Sequence, residues 1–196
     1  MITGAILLAA AAWAFTFAVP WGNFWARIGL SVLLVCVYSL VWQKPSIRFH
    51  LKSILIGAFS AALLYVIFLA GYTLSPYLIT DAHGEVRAIY DLGSKTSRLW
   101  VFLLLALVTG PGEEIFWRSF LQERFMARIG NVPGYMVTTL IYAGVHVFSK
   151  SLMLVGAAFV AGAFWGALYL WKRDLGMVIV SHSLWSAFIF AVLPIA

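Results

Sequence analysis

Charge is what this sequence has least of. Asp, Glu, Lys and Arg make up 10% of its 196 residues, where a soluble domain carries about a quarter. So sparse a polar surface excludes an ordinary water-facing globule, and lipid becomes the main solvent. Cysteine is nearly absent too. Cys36 stands alone among apolar residues, which excludes a disulfide framework and a thiolate metal site and leaves a small buried hydrophobe. No repeat, low-complexity stretch or linker divides the chain. The opening stretch MITGAILLAAAAWAFTFAVP has no basic residue ahead of its apolar run, which is long for a secretion signal. It reads as a first spanning helix.

What fills the chain is apolar, at 63% hydrophobic residues and a mean hydropathy of +0.97. Crossing a bilayer takes about 20 predominantly apolar residues per helix. Segments near 2–19, 24–43, 53–75, 99–121, 134–149, 152–171 and 175–194 fit, the fifth being short enough to be tilted or partly buried in protein. The expected fold is all-α: a polytopic, multi-pass helical membrane protein with about seven transmembrane helices.

The net charge of +6 and pI near 9.7 matter less than where the charges fall. With a cytoplasmic N-terminus, the inner loops hold Lys44, Arg48, Lys52, Arg124, Arg128, Lys172 and Arg173. The outer loops hold Arg87, Lys95, Arg98 and Lys150, offset by Asp81, Glu85 and Asp91. That asymmetry obeys the positive-inside rule. The cations form no basic patch and no recognition motif, so no nucleic-acid partner is expected. The basic loop KPSIRFHLK at 44–52 reads as a cytoplasmic turn facing anionic headgroups. The longest polar interruption, 75–98, reads as a plain connecting loop or as a short interfacial helix with Ile79, Val86, Ile89 and Tyr90 on its apolar face. His50 and His83 fall in such loops, where solvation is expected.

Against this background, TGPGEEIFWRSFLQERF at 109–125 stands out. An ionised side chain at bilayer depth costs about 2.5–3.5 kcal/mol or more, and is kept when paired or when it lines a wet cavity. Glu114 and Arg118 stand four apart with the acid first, the favourable order for an ion pair on one helix face. Glu113 points about 100° away, without that partner. The GPG at 110–112 should break or kink the helix and put Glu113 in a first turn, where free N–H groups favour an anion. One acid is then structural and the other free for chemistry. Two further hydrophobic segments carry YAGVH, with Tyr142 and His146 one turn apart, and SHSLWS, with His182 and Ser186 on one face. Two histidines and a free glutamate, near the midplane or in the cytoplasmic half, supply a base, an orienter and a donor for developing charge. Together they predict an intramembrane catalytic cavity, opening to the cytoplasm if the loop charges set its side.

At these residues the chain resembles the CPBP family of intramembrane proteases, also called CAAX-protease and bacteriocin-processing or Abi proteins. The family's motifs are Glu-Glu-x-x-x-Arg, aromatic-x-x-x-His and His-x-x-x-Asn on successive membrane helices. Here they read EEIFWR at 113–118, YAGVH at 142–146 and HSLWS at 182–186. The resemblance covers roughly 105–192. It divides one integrated membrane domain into N-terminal helices with an outer loop, 1–98, and a CPBP-like catalytic core, 99–196. Tyr142 stands where phenylalanine is usual, and Ser186 where asparagine is usual. The second change replaces an amide donor by a shorter, freely rotating hydroxyl, and Ser183 is a neighbouring hydroxyl that could help.

The resemblance implies an intramembrane endopeptidase acting on a membrane-associated peptide or protein. Glu113 and His146 would activate water, His182 with Ser186 would steady the oxyanion, and Glu114 with Arg118 would be structural. No cofactor is expected. The alternative is zinc held by Glu113, His146 and His182, three ligands with an open fourth position. A non-catalytic immunity or scaffold relative of the same fold is the other reading, and a proton-coupled transporter a third, disfavoured because internal repeats are absent. The expected setting is a bacterial plasma membrane with the N-terminus cytoplasmic, and the expected partners are membrane lipid and the substrate.

Overall fold

In the computed structural model, which describes residues 1–93 and 95–196, the regular elements are all helical. They are α1 (Ile2–Ala18), α2 (Phe24–Trp42), α3 (Leu51–Leu74), α4 (Ala82–Asp91), α5 (Arg98–Ile129), α6 (Asn131–Val145), α7 (Leu152–Lys172) and α8 (Leu175–Val192). Among the described residues, α2, α5, α7, α8 and α3 with its short extension to Tyr77 are long and apolar enough to cross a membrane. The 17-residue α1 is apolar but shorter. The 15-residue α6 spans about 22 Å at 1.5 Å per residue, short of a bilayer's hydrocarbon core. It starts before the expected 134, because Gly130 takes a φ of 94° and turns the chain directly out of α5. The outer faces of α2 and α3 carry exposed Leu33, Val37, Val41, Leu55 and Phe59, a surface suited to lipid and not to water.

Hydrogen bonds identify the two ends of the bundle. At one end, Gln43 after α2 donates to the Ser119 carbonyl of α5 at 2.7 Å, Arg173 pairs with Glu123 at 2.7 Å, and Ser53 of α3 donates to Asp174 at 2.5 Å. At the other, Asn23 bonds Thr96 at 2.7 Å, Tyr90 bonds the Ile189 carbonyl at 2.9 Å, and Ser151 bonds Glu85 at 2.6 Å. Buried Arg27 locks the α1–α2 turn by donating to the carbonyls of Thr16, Trp21 and Gly22 at 3.0, 2.5 and 3.0 Å. This buried cation, spent on backbone carbonyls, fixes where α1 lies against the core.

The 75–98 segment contains a helix, α4, rather than a plain loop. Its His83 is not solvated: the ring stacks on Tyr72 at 4.1 Å and sits 3.1 Å from the Tyr72 carbonyl. Glu85 binds the first turn of α7 through the Ser151 hydroxyl and the Met153 N–H at 2.9 Å. Those bonds, the Ser151 hydroxyl first, hold the Glu85 carboxyl below its usual range. The anchor is therefore intact above the ordinary glutamate pKa and is lost as pH falls through the depressed one.

The expected break at GPG does not form. Thr109 (φ −72°, ψ −48°) and Gly110 (φ −54°, ψ −57°) are helical, and α5 runs on through Pro111. Wider π-type turns at Leu105–Thr109 and Ile115–Gln122 flank it and make room for the proline ring. The glycines serve close packing. A Cβ on Gly110 would sit 2.8 Å from the Ser183 Cα of α8, and one on Gly112 would sit 2.6 Å from Val32 of α2. Glu113 therefore lies within a continuous helix and not at a free N-terminus.

Candidate active site

The continuous α5 brings Glu113 and Glu114 into the bundle interior, 7% and 0% exposed. Glu114 is held from both sides. Its Oε2 lies 3.3 Å from Arg118 Nε, and its Oε1 lies 2.7 Å from His182 Nδ1 of α8. The Arg118 contact is close but not aligned as a hydrogen bond, so the attraction is mainly coulombic. Arg118 also reaches the Gly162 carbonyl of α7 at 3.4 Å and lies 5.2 Å from the Tyr142 ring. A fully buried carboxylate held by a guanidinium and an imidazole is a structural tie between α5, α7 and α8. The i,i+4 pair expected from the sequence is present, with His182 as a third member.

Glu113 has a different neighbour, the Tyr142 hydroxyl of α6, which donates to its Oε2 at 2.9 Å. The hydroxyl that distinguishes Tyr142 from phenylalanine thus binds the acid with no ion-pair partner. Tyr142→Phe removes one hydrogen bond to an ionisable group, worth about 1.5 kcal/mol, and leaves the ring packed against Trp117. The expected outcome is about a tenfold loss of peptide cleavage or less, with an unchanged melting temperature.

His146 follows the last turn of α6. Its Nδ1 lies 2.7 Å from the Tyr142 carbonyl, and its Nε2 accepts from the indole Nε1 of Trp13 at 3.1 Å. That pattern describes the tautomer with the proton on Nδ1, and both ring nitrogens are engaged. His182 turns Nδ1 to Glu114 and lies flat on Trp165, with centroids 3.7 Å apart, so Nε2 remains for a substrate. Ser186, one turn along α8, lines the same cavity. Ser183 has a buried hydroxyl that packs at Gly110 without a hydrogen-bond partner, and it is not among the cavity's lining residues.

A cavity of about 510 Å³ joins these groups, with Glu113, Tyr142, His146, His182 and Ser186 among its walls. From them it runs between α3, α4 and α7 as an apolar shaft lined by Phe68, Leu78, Val86 and Ile89. Exposed Ile67, Gly156 and Val160 line it between α3 and α7 as well, and buried Phe116, Trp117 and Phe120 lie between Glu113 and the end that carries the basic loops. A separate groove of about 480 Å³ at the basic end, between Lys44, Arg124 and Arg173, includes neither Glu113 nor Glu114.

The donors do not suit zinc in this arrangement. Glu113, His146 and His182 do not come together as a set that could hold a metal ion, nor do any other three His, Cys, Asp or Glu side chains among the described residues. His182 is committed to Glu114, and the accepting nitrogen of His146 already takes the Trp13 N–H. Two participants were missed from sequence, Trp13 and Trp165. Each sits in an apolar helix where a tryptophan reads as core, and only the direction of its indole nitrogen sets it apart.

Comparison with known proteins bears on the same residues. Residues 95–188 match the family model described as type II CAAX prenyl endopeptidase Rce1-like. No curated protein and no solved structure matches the chain. The matched stretch runs from just before α5 into α8 and holds all three motifs, while α1 with Trp13 lies outside it. This stretch, just under half of the chain, is similar to the Rce1-like type II CAAX endopeptidases of the CPBP family, and the long apolar helices around it make the chain an integral membrane protein.

Proposed function

We propose that the chain hydrolyses a peptide bond in a membrane-associated peptide or protein by a metal-independent, glutamate-based mechanism. The observation that carries this reading is the division between the two acids. Glu114 is bound to Arg118 and His182, whereas Glu113 meets only a tyrosine hydroxyl and borders the cavity. A water beside Glu113 gives it a proton as the water oxygen bonds to the scissile carbonyl carbon. The carbonyl oxygen becomes an oxyanion, met by His182 Nε2 and the Ser186 hydroxyl. Collapse of this intermediate breaks the C–N bond, and Glu113 returns its proton to the leaving amine. His146 shares the activation of water only if the Trp13 indole releases its Nε2 when substrate enters. Cleavage of a quenched-fluorescent peptide library by the detergent-purified protein, compared with the Glu113→Gln variant, tests the proposal.

Ser186 motivates the second reading, a non-catalytic immunity or scaffold relative, because a short hydroxyl stands at the expected amide position. One oxyanion donor supplies about 10²-fold or more in rate. Ser186→Asn is therefore expected to raise turnover, toward that factor, without moving the melting temperature. A variant and parent that both fail to cleave any peptide in the library would favour the non-catalytic reading.

A further inference from the structure

The groove at the basic end shares no lining residue with the cavity at Glu113 and has no part in the hydrolysis proposed there. Gln43 and Lys44 after α2, Ser119, Glu123 and Arg124 on α5, and Arg173 after α7 line it. Three cations thus share the groove with one carboxylate. That carboxylate is already engaged: Glu123 Oε1 accepts from Arg173 Nη1 at 2.7 Å and from the Tyr169 hydroxyl at 2.9 Å. Among the described residues, the remaining ion pairs are those of Glu114 with Arg118 and His182. Neither Lys44 nor Arg124 therefore has an acid to pair with.

Arg124 is nevertheless held in place. Its guanidinium lies 4.2 Å over the Phe120 ring, Nη1 donates to the Gln43 side-chain oxygen, and Nη2 lies 3.5 Å from the Trp42 carbonyl. Gln43 is fixed in turn by donating to the Ser119 carbonyl at 2.7 Å. All of these partners are neutral, so the guanidinium is oriented while its charge stays uncompensated. Each Nη carries two hydrogens and gives one to the protein, which leaves one on each for an anion. A planar fork of donors beside a lysine suits the oxygens of a phosphate.

The depth of the groove points to what bears that phosphate. Trp42 ends α2 and Trp171 stands one residue before the end of α7, both more than half exposed, and Lys172 Nζ sits 3.6 Å over the Trp171 ring. Exposed tryptophans at helix ends mark the level of the lipid headgroups. From there toward the middle of α2, Val41 and Val37 are exposed and give an acyl chain an apolar surface. A free phosphate would use the cations and leave this surface untouched. A zwitterionic headgroup would bring a quaternary ammonium into a groove whose one carboxylate is taken.

We propose that this groove binds an anionic phospholipid, with the phosphate held by Lys44 and Arg124 and the acyl chains along α2. Basic pockets between membrane helices are recurrent sites for such headgroups. The lipid bridges the connection after α2 to α5, and so joins a helix outside the family-matched stretch to the helix that carries Glu113. A ligand held by the folded protein alone raises its melting temperature.

The test is that temperature for the protein purified in a neutral detergent, titrated with dioleoylphosphatidylglycerol, dioleoylphosphatidylcholine or inorganic phosphate. Phosphatidylglycerol is expected to raise it to a plateau at concentrations where the other two leave it unchanged. Lys44→Gln removes a cation from the groove and is expected to move the midpoint to about fivefold more lipid, the usual worth of one basic residue at an anionic surface. Lys52→Gln removes the same charge at the same end but outside the groove, and is expected to titrate as the parent does. No response to phosphatidylglycerol, or an equal response to phosphatidylcholine, overturns the proposal. An equal response to inorganic phosphate overturns it too, in favour of a free-anion site. So does a Lys52→Gln variant weakened as much as Lys44→Gln, because diffuse surface charge would then suffice.

Discussion

Glu113→Ala is expected to lower peptide cleavage by about 10²–10⁴-fold while the protein remains folded. The rate term comes from losing the only group placed to take a proton from water, worth about 10²–10⁴ for general-base catalysis. Leftover water in the enlarged cavity does not replace it, because the walls next to Glu113 are largely aromatic and apolar. The fold survives because Glu113 ties no elements together through an ion pair. Its one protein hydrogen bond is to Tyr142, and the freed hydroxyl opens onto a cavity that can hold water. Turnover and melting temperature measured on one preparation check both halves of the statement. Glu113→Gln, which keeps the shape, is expected to be as inactive as the alanine variant.

Glu114→Ala, one residue along, is expected to fail for the opposite reason. Removing one partner of a buried ion pair costs about 3–5 kcal/mol, since an uncompensated charge stays behind. Here Arg118, 1% exposed, would keep only the Gly162 carbonyl at 3.4 Å and the face of Tyr142, and His182 would lose its 2.7 Å contact. The expected readout is a large fall in melting temperature, or loss of monodisperse protein on extraction, with activity lost as a consequence. Replacing both ends of the pair discriminates further. Glu114→Gln combined with Arg118→Met removes both charges and is expected to recover much of the stability, because no uncompensated buried charge stays behind. It is not expected to recover full turnover, since His182 loses the carboxylate that orients it. Adjacent acids with opposite failure modes, one kinetic and one structural, would be hard to reconcile with a merely architectural glutamate pair.

Much of this was readable before the fold was known, for identifiable reasons. Helix content and membrane residence follow from hydropathy alone, because a bilayer leaves few other ways to satisfy the backbone. The Glu114–Arg118 pair follows from helical spacing, which does not depend on tertiary structure. His182 joining that pair does not, since it comes from a helix 68 residues later. Pro111 does not end its helix, because two wide turns flank the proline and tight packing uses the glycines. Trp13 was invisible as a site residue. It lies outside the family-matched stretch, and its indole reaches His146 through the packing of α1 against Trp117 and Tyr142. Charge counts report which loops face the cytoplasm and carry no information about which end of a bundle is plugged by aromatic side chains.

The most direct measurement is the cleavage rate of the detergent-purified protein on a peptide from the library, with and without a strong chelator, alongside Glu113→Gln. The expected result is a parent rate that the chelator leaves unchanged and a Glu113→Gln rate at background, with equal melting temperatures. Loss of the parent rate in chelator and its return with zinc, or a Glu113→Gln variant cleaving at the parent rate, would contradict glutamate-based hydrolysis.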